Sequence, residues 1–123
     1  MKIIIDTHIF LWALADPSRI PAEKKSELVN LANTIFVSSI TLAEIMIKAS
    51  LGKLVVDFDP ISATEETGFQ LLNFTAADAC QLKDMPFHHK DPFDRMLIAQ
   101  SIAQRTGIMS NDIKFSLYDC KVI

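Results

Sequence analysis

Apolar residues in this chain fall into two kinds of run. Short continuous stretches, Lys2-Ile3-Ile4-Ile5 and Thr34-Ile35-Phe36-Val37-Ser38, have the β-branched character of strands buried on both faces. Residues 70–74 form a weaker third run, residues 107–110 a short fourth, and residues 120–123 a fifth. Between them apolar residues recur at helical spacing, predicting helices over 7–15, 21–31, 42–51, 61–67, 76–82 and 92–106. Leu28, Leu31 and Ala32 share one face, Ile45, Met46 and Ala49 another, and Met96, Leu97, Ala99, Ile102 and Ala103 point inward from the last. Pro21 and Pro92 suit first helical turns. Gly52, Gly68 and Gly107 each follow a helix, where a left-handed C-terminal residue is expected. Strands alternating with helices imply parallel βαβ units, hence an α/β fold: a three-layer α/β/α sandwich around a parallel, roughly five-stranded sheet. No linker, internal repeat or low-complexity segment divides residues 1–123, which read as a single domain.

Composition narrows the possibilities. Half of the 123 residues are hydrophobic and 22% are charged, as in an ordinary globular protein able to bury a core. No apolar run approaches the length of a membrane span, and Asp6 comes too early for a signal peptide, so the expected location is cytoplasmic. Cys80 and Cys120 stand alone, without the spacing of a zinc ribbon or a disulfide framework. Three isolated glycines cannot write a dinucleotide fingerprint or a P-loop.

In an open parallel sheet, ligands gather at the carboxyl ends of the strands. The first strand ends in Asp6, the second leads through Thr41 to Glu44, the last long helix opens with Asp91-Pro92-Phe93-Asp94, and the fourth strand ends in Ser110-Asn111-Asp112. Each acid has a purely structural use. Asp6, Asp91 and Asp112 can cap helices, while Thr41 with Glu44, and Asp91 with Asp94, fit capping boxes. Capping would accept Ser, Thr or Asn equally, however, and carboxylates converging on one rim repel unless a cation lies among them or a proton is shared. Oxygen ligands suit Mg²⁺ or Mn²⁺ better than zinc, and such a site favours in-line attack of water on a phosphodiester. The net charge of −3 argues against a generally basic nucleic-acid surface. Setting the five rim acids aside leaves ten acids against twelve lysines and arginines, a remainder of +2. Lys48, Lys53, Lys90, Arg95, Arg105 and Lys114 are the cations expected near the rim, each equally at home on a solvated helix face.

These residues resemble the PIN-domain ribonucleases, specifically the VapC-like toxins of type II toxin–antitoxin pairs. The resemblance spans the chain. It rests on Ile3-Ile4-Ile5-Asp6-Thr7-His8, on residues 38–45 with Lys48 and residues 51–54, on residues 89–100, and on Ser110-Asn111-Asp112 with Phe115 and Tyr118. It implies that Asp6, Glu44, Asp94 and Asp112 are the catalytic, metal-binding acids of an endoribonuclease using Mg²⁺ or Mn²⁺. It also implies an RNA substrate, a homodimer and a cognate antitoxin that holds the enzyme inactive; the short apolar runs lead to the expectation of no membrane partner. Thr7 would position metal or water through its hydroxyl, and Asp91 matches a helix cap better than a ligand. Arg95 and His89 are candidates for phosphate or RNA contact or for an ion pair with Asp91, whereas His8 and His88 are left as structural or surface residues. Two departures bear on substrate preference: Asn111 stands where many relatives carry a basic or other polar residue, and Thr-Leu-Ala precedes Glu44 in place of an aromatic-bearing segment.

Two rival readings of an acidic-rimmed α/β sheet fail. A receiver domain needs an acidic pair after strand one and a phosphoacceptor Asp after strand three, where this chain has Asp6-Thr7 and Thr75-Ala76. A haloacid-dehalogenase-type phosphatase needs a second acid two residues after Asp6, where His8 stands. The remaining alternative is a non-catalytic PIN-like module that binds RNA or a partner. Such modules typically lose one or more of the four acids.

Overall fold

The computed structural model describes all 123 residues. Strands β1 (Lys2–Ile5), β2 (Thr34–Ser38), β3 (Gln70–Leu72) and β4 (Gly107–Met109) form one parallel sheet in the order β3-β2-β1-β4. Helices α1 (Thr7–Ala15), α2 (Ala22–Val29), α3 (Ser39–Ser50), α4 (Pro60–Glu66), α5 (Ala76–Cys80) and α6 (Pro92–Gln104) connect the strands, with 3₁₀ turns at Pro17–Arg19, Gln81–Asp84 and Ile113–Leu117. Successive side chains of a strand point to opposite faces, which explains the unbroken isoleucine run of β1. Ile3 and Ile5 join Ile9, Phe10, Val37 and Ile45 on one face, and Ile4 joins Leu97, Ile98, Ile108 and Phe115 on the other. Two hydrophobic layers separated by the sheet are the three-layer sandwich.

Four features differ from the sequence-based expectation. The sheet has four strands, and the expected fifth is reduced to a single parallel bridge between Ile108 and Val122. Its two backbone bonds, Ile108 N–H to the Lys121 carbonyl and Ile123 N–H to the Ile108 carbonyl, are both 2.8 Å. Gly52 (φ 72°) and Gly68 (φ 82°) do take the left-handed conformation, but Gly107 lies inside β4, and Arg105 (φ 53°) closes α6 instead. What Gly107 provides is closeness: a Cβ there would stand 3.1 Å from Ile123 Cδ1. α3 begins three residues earlier than its apolar spacing predicts, because Ser38 ends β2 and also caps the helix, its hydroxyl accepting the Ile40 N–H at 3.1 Å. Two side chains expected inside are exposed: Leu31, which lies beyond the end of α2, and Ala103 near the end of α6.

The strand order places the site. From β1 the chain steps outward to β2 and β3, then returns to the other side of β1 as β4. The reversal falls between β1 and β4, where open α/β sheets leave a crevice at the strands' carboxyl ends. The Asp6 N–H donates to the Met109 carbonyl at 3.0 Å and ties those two ends together.

Candidate metal centre at the sheet rim

Asp6 follows β1 immediately and caps α1, its Oδ1 accepting the Ile9 N–H at 2.8 Å. It is buried, and burial pushes its carboxyl above the ordinary range, opposed by hydrogen bonds from Ser110 and Ile9. Asp112 follows β4 and caps the Ile113–Leu117 turn through the Lys114 N–H at 2.9 Å. Asp91 caps α6 by accepting the Asp94 N–H at 3.0 Å, with Pro92 in the first turn. Asp94 does not reach back to complete a capping box. Its Oδ2 instead meets His89 Nε2 at 2.9 Å, and the same nitrogen lies 3.1 Å from Asp112 Oδ2.

Asp6, Asp94 and Asp112 thus face one open hollow of about 230 Å³, which His8, Trp12 and Asn111 also line. A larger hollow of about 460 Å³, near Leu28 and Phe69 at the strands' opposite ends, has no titratable side chain in its lining. The repulsion expected at the rim is evident in Asp94. Its carboxyl is pushed up from 3.8 to about 7, first by burial and then by Asp91, Asp6, Glu44 and Asp112. The donors are carboxylate oxygens in excess of nearby positive charge, a set that fits a hard divalent cation.

Glu44 stands behind this hollow. Because α3 starts at Ser39, Thr41 and Glu44 lie within the helix and form no capping box. Glu44 is buried, accepts the Thr7 hydroxyl at 2.7 Å, and pairs with Lys48 one turn on; the Thr41 hydroxyl lies 3.1 Å from that of Thr7. Thr7 therefore orients Glu44. The hydrogen bond to Glu44, ahead of the field of Asp91 and Asp94, raises the Lys48 ammonium above its usual range.

Arg95 is placed differently from the expectation that it meets a phosphate or Asp91. It is buried, and its Nη1 donates to the Pro86 carbonyl (2.8 Å), the His89 carbonyl (3.3 Å) and the Tyr118 hydroxyl (3.2 Å). The guanidinium also lies 4.2 Å from the centre of the Phe87 ring. His89 likewise pairs with Asp94 and Asp112, not with Asp91. Arg105, grouped with the rim cations from its sequence position, lies at the opposite end of the sheet beside Met1, Lys2 and Gly107. His8, left as structural or surface, lines the acidic hollow together with Trp12. The signal for that was present, since residues four apart on α1 share a face, and the two rings sit 6.1 Å apart.

The family model of the PIN domain matches residues 3–120. The chain belongs to the PIN-domain family. Among solved structures, the PIN fold here is similar to that in VapBC2 from Rickettsia felis bound to a DNA fragment from its promoter: TM-score 0.71, 20% identity, covering 100% of this chain and 98% of that one. It is also similar to that in DNA-bound VapBC from Salmonella typhimurium, with a TM-score of 0.65 and 15% identity over 100% and 97% of the two chains. FitAcB from Neisseria gonorrhoeae gives 0.62 and 17% over 98% and 96%. No curated protein matches this PIN domain significantly in sequence. No helix is long and apolar enough to cross a membrane.

Proposed function

We propose that this PIN domain is a divalent-metal-dependent endoribonuclease, the toxin of a toxin–antitoxin pair, and that it hydrolyses RNA phosphodiester bonds at the acidic rim. The observation that carries this reading is the convergence of Asp6, Asp94 and Asp112 on one hollow at the strand-order reversal. Those three carboxylates would hold Mg²⁺ or Mn²⁺, with Glu44 contributing charge from behind. When bound, such an ion activates water and neutralises charge developing on the phosphodiester. The chain's own part is to keep the acids in place. The Ile9 N–H fixes Asp6, the first turn of α6 fixes Asp94, and Thr7 fixes Glu44. Lys48 and Lys114 flank the rim as cations for a phosphate backbone.

An antitoxin partner is supported by the neighbours, which were solved as VapBC complexes. Met46, Ile47 and Leu51, exposed on and just after α3, supply apolar surface for such a partner or for a second copy in a homodimer. With RNA as substrate and an antitoxin as partner, this reading has the protein work in the cytoplasm.

The deciding experiment is cleavage of a panel of structured RNAs, including transfer RNAs, with Mg²⁺ or Mn²⁺ and with EDTA. Wild type and Asp6→Asn are purified side by side. Asn caps a helix about as well as Asp, so the variant keeps its circular dichroism spectrum and loses cleavage. Cutting by both proteins would identify a contaminating nuclease. Absence of both cutting and metal binding in wild type would favour a non-catalytic binding module.

A further inference from the structure

His89 is a buried rim residue that touches two of the rim acids and caps no helix. Its Nε2 sits 2.9 Å from Asp94 Oδ2 and 3.1 Å from Asp112 Oδ2, two acids delivered by different elements. The three donor atoms lie within 4.8 Å of one another, close enough to suggest that all three bind an ion. The other ring nitrogen argues otherwise. Nδ1 accepts the Asp91 backbone N–H at 3.3 Å, so it carries a lone pair and the ring proton belongs on Nε2. A protonated Nε2 has no electron pair for a metal: its proton bonds Asp112 Oδ2, and Asp94 Oδ2 lies against the same nitrogen at 2.9 Å.

The imidazole is also held from several sides. The His89 N–H donates to the Tyr118 hydroxyl at 2.9 Å, its carbonyl accepts from Arg95, and its ring meets Phe115 edge-on at 6.0 Å between centres. Tyr118 in turn donates to the Pro86 carbonyl at 2.8 Å, the same carbonyl that Arg95 reaches. Arg95 makes no ion pair with any carboxylate. A buried guanidinium is costly without a charged partner, and here its Nη1 holds two carbonyls of the segment that carries His89. The clamp, the ring and Asp112 form one continuous chain of hydrogen bonds from the core to the rim, with Asp94 in contact at its end.

We propose that His89 is a positioning residue, whose Nε2–H draws the Asp94 and Asp112 carboxylates together so that the pair is assembled before a cation arrives. This rests on the metal-dependent reading above and deepens it. Without the donor, the two acids repel and must be gathered by the ion itself, which weakens its binding. Outer-shell partners of this kind typically change metal affinity about 10- to 100-fold.

The test is Mn²⁺ binding to the full chain by calorimetry, with wild type, His89→Phe and His89→Gln compared. Phe keeps the ring's bulk and loses the donor, while the Gln amide can donate from nearly the same reach. We expect His89→Phe to weaken Mn²⁺ binding about tenfold or more, His89→Gln to recover most of the loss, and both to keep the wild-type circular dichroism spectrum. Equal affinity in wild type and His89→Phe overturns the proposal, as does a His89→Gln no better than His89→Phe, which would make the residue a packing element. A ring nitrogen bonded directly to Mn²⁺ in electron spin-echo spectra overturns it too. Should His89→Phe fail to fold, Tyr118→Phe keeps the imidazole but frees the His89 backbone, so that the ring is no longer held against the two acids: severalfold weaker Mn²⁺ binding supports the proposal and unchanged binding overturns it. A wild type that binds no Mn²⁺ removes the metal-dependent reading, whereas a binding wild type matched by His89→Phe removes only the role of His89.

Discussion

At the scale of single residues, the rim keeps acids where burial disfavours their charge. Asp94 in the unfolded chain releases its proton near its ordinary value of 3.8, and in the folded chain near about 7. Between those values the folded state binds more protons, so stability falls as pH rises. The contribution is intact below the first value and lost above the second, and Asp6, also raised by burial, acts in the same direction. The metal-free protein is therefore expected to resist urea better at about pH 5 than at about pH 8. Asp94→Asn should flatten that decline and exceed wild type in stability at the higher pH. Mn²⁺ affinity, which competes with the proton, should rise across the same interval by calorimetry. Asp91 behaves as a cap: Asp91→Asn should be nearly silent, whereas Asp91→Ala should cost about 1 kcal/mol in urea unfolding. A loss of Mn²⁺ binding in Asp91→Asn as deep as that in Asp94→Asn would show that Asp91 is a ligand. The sequence made the acids of this rim legible, because position at a strand end says where a side chain goes. It did not reveal the partners of His89 and Arg95, which depend on where Tyr118, more than twenty residues away in the chain, comes to rest.

At the scale of elements, the strands were readable from β-branched runs because a strand with layers on both faces needs no polar alternation. Boundaries were less so where one residue serves two elements. Ser38 ends β2 and caps α3, so the apolar spacing that marks the helix begins only after its first turn. Glu44 was consequently read at a helix start when it lies in the helix interior. The glycine rule succeeded after α3 and α4 and failed after α6, where tight contact with Ile123 explains Gly107 and a left-handed Arg105 closes the helix. A non-glycine residue in that conformation costs roughly 1–2 kcal/mol. Arg105→Gly is accordingly expected to stabilise the protein by up to about 1 kcal/mol, part of the relief being lost to the freer unfolded chain. Thermal melting of the metal-free protein checks this, and a lower melting temperature would show that Arg105 makes contacts worth more than the strain.

At the scale of the whole molecule, two hydrophobic layers share one sheet. Ile5 belongs to one layer and Ile98 to the other. Ile5→Val and Ile98→Val should each cost about 1 kcal/mol, and the double variant should cost their sum within about 0.5 kcal/mol by urea titration. A larger departure would reveal coupling across the sheet. Layers, parallel strands and the rim followed from sequence pattern; the strand order and the reduction of the fifth strand to one bridge did not, because local apolar runs do not say which distant segment a strand pairs with. The joins between elements carry a mechanical consequence. One residue separates β1 from α1, and none separates β2 from α3. Asp6 on the first of these joints and Glu44 in the helix that follows the second cannot swing to close around a ligand, so deformation falls to the nucleic acid. A supple single strand can bend into a fixed notch where a duplex resists, and under the proposed function the choice of target is written in the pliability of the RNA as much as in its bases.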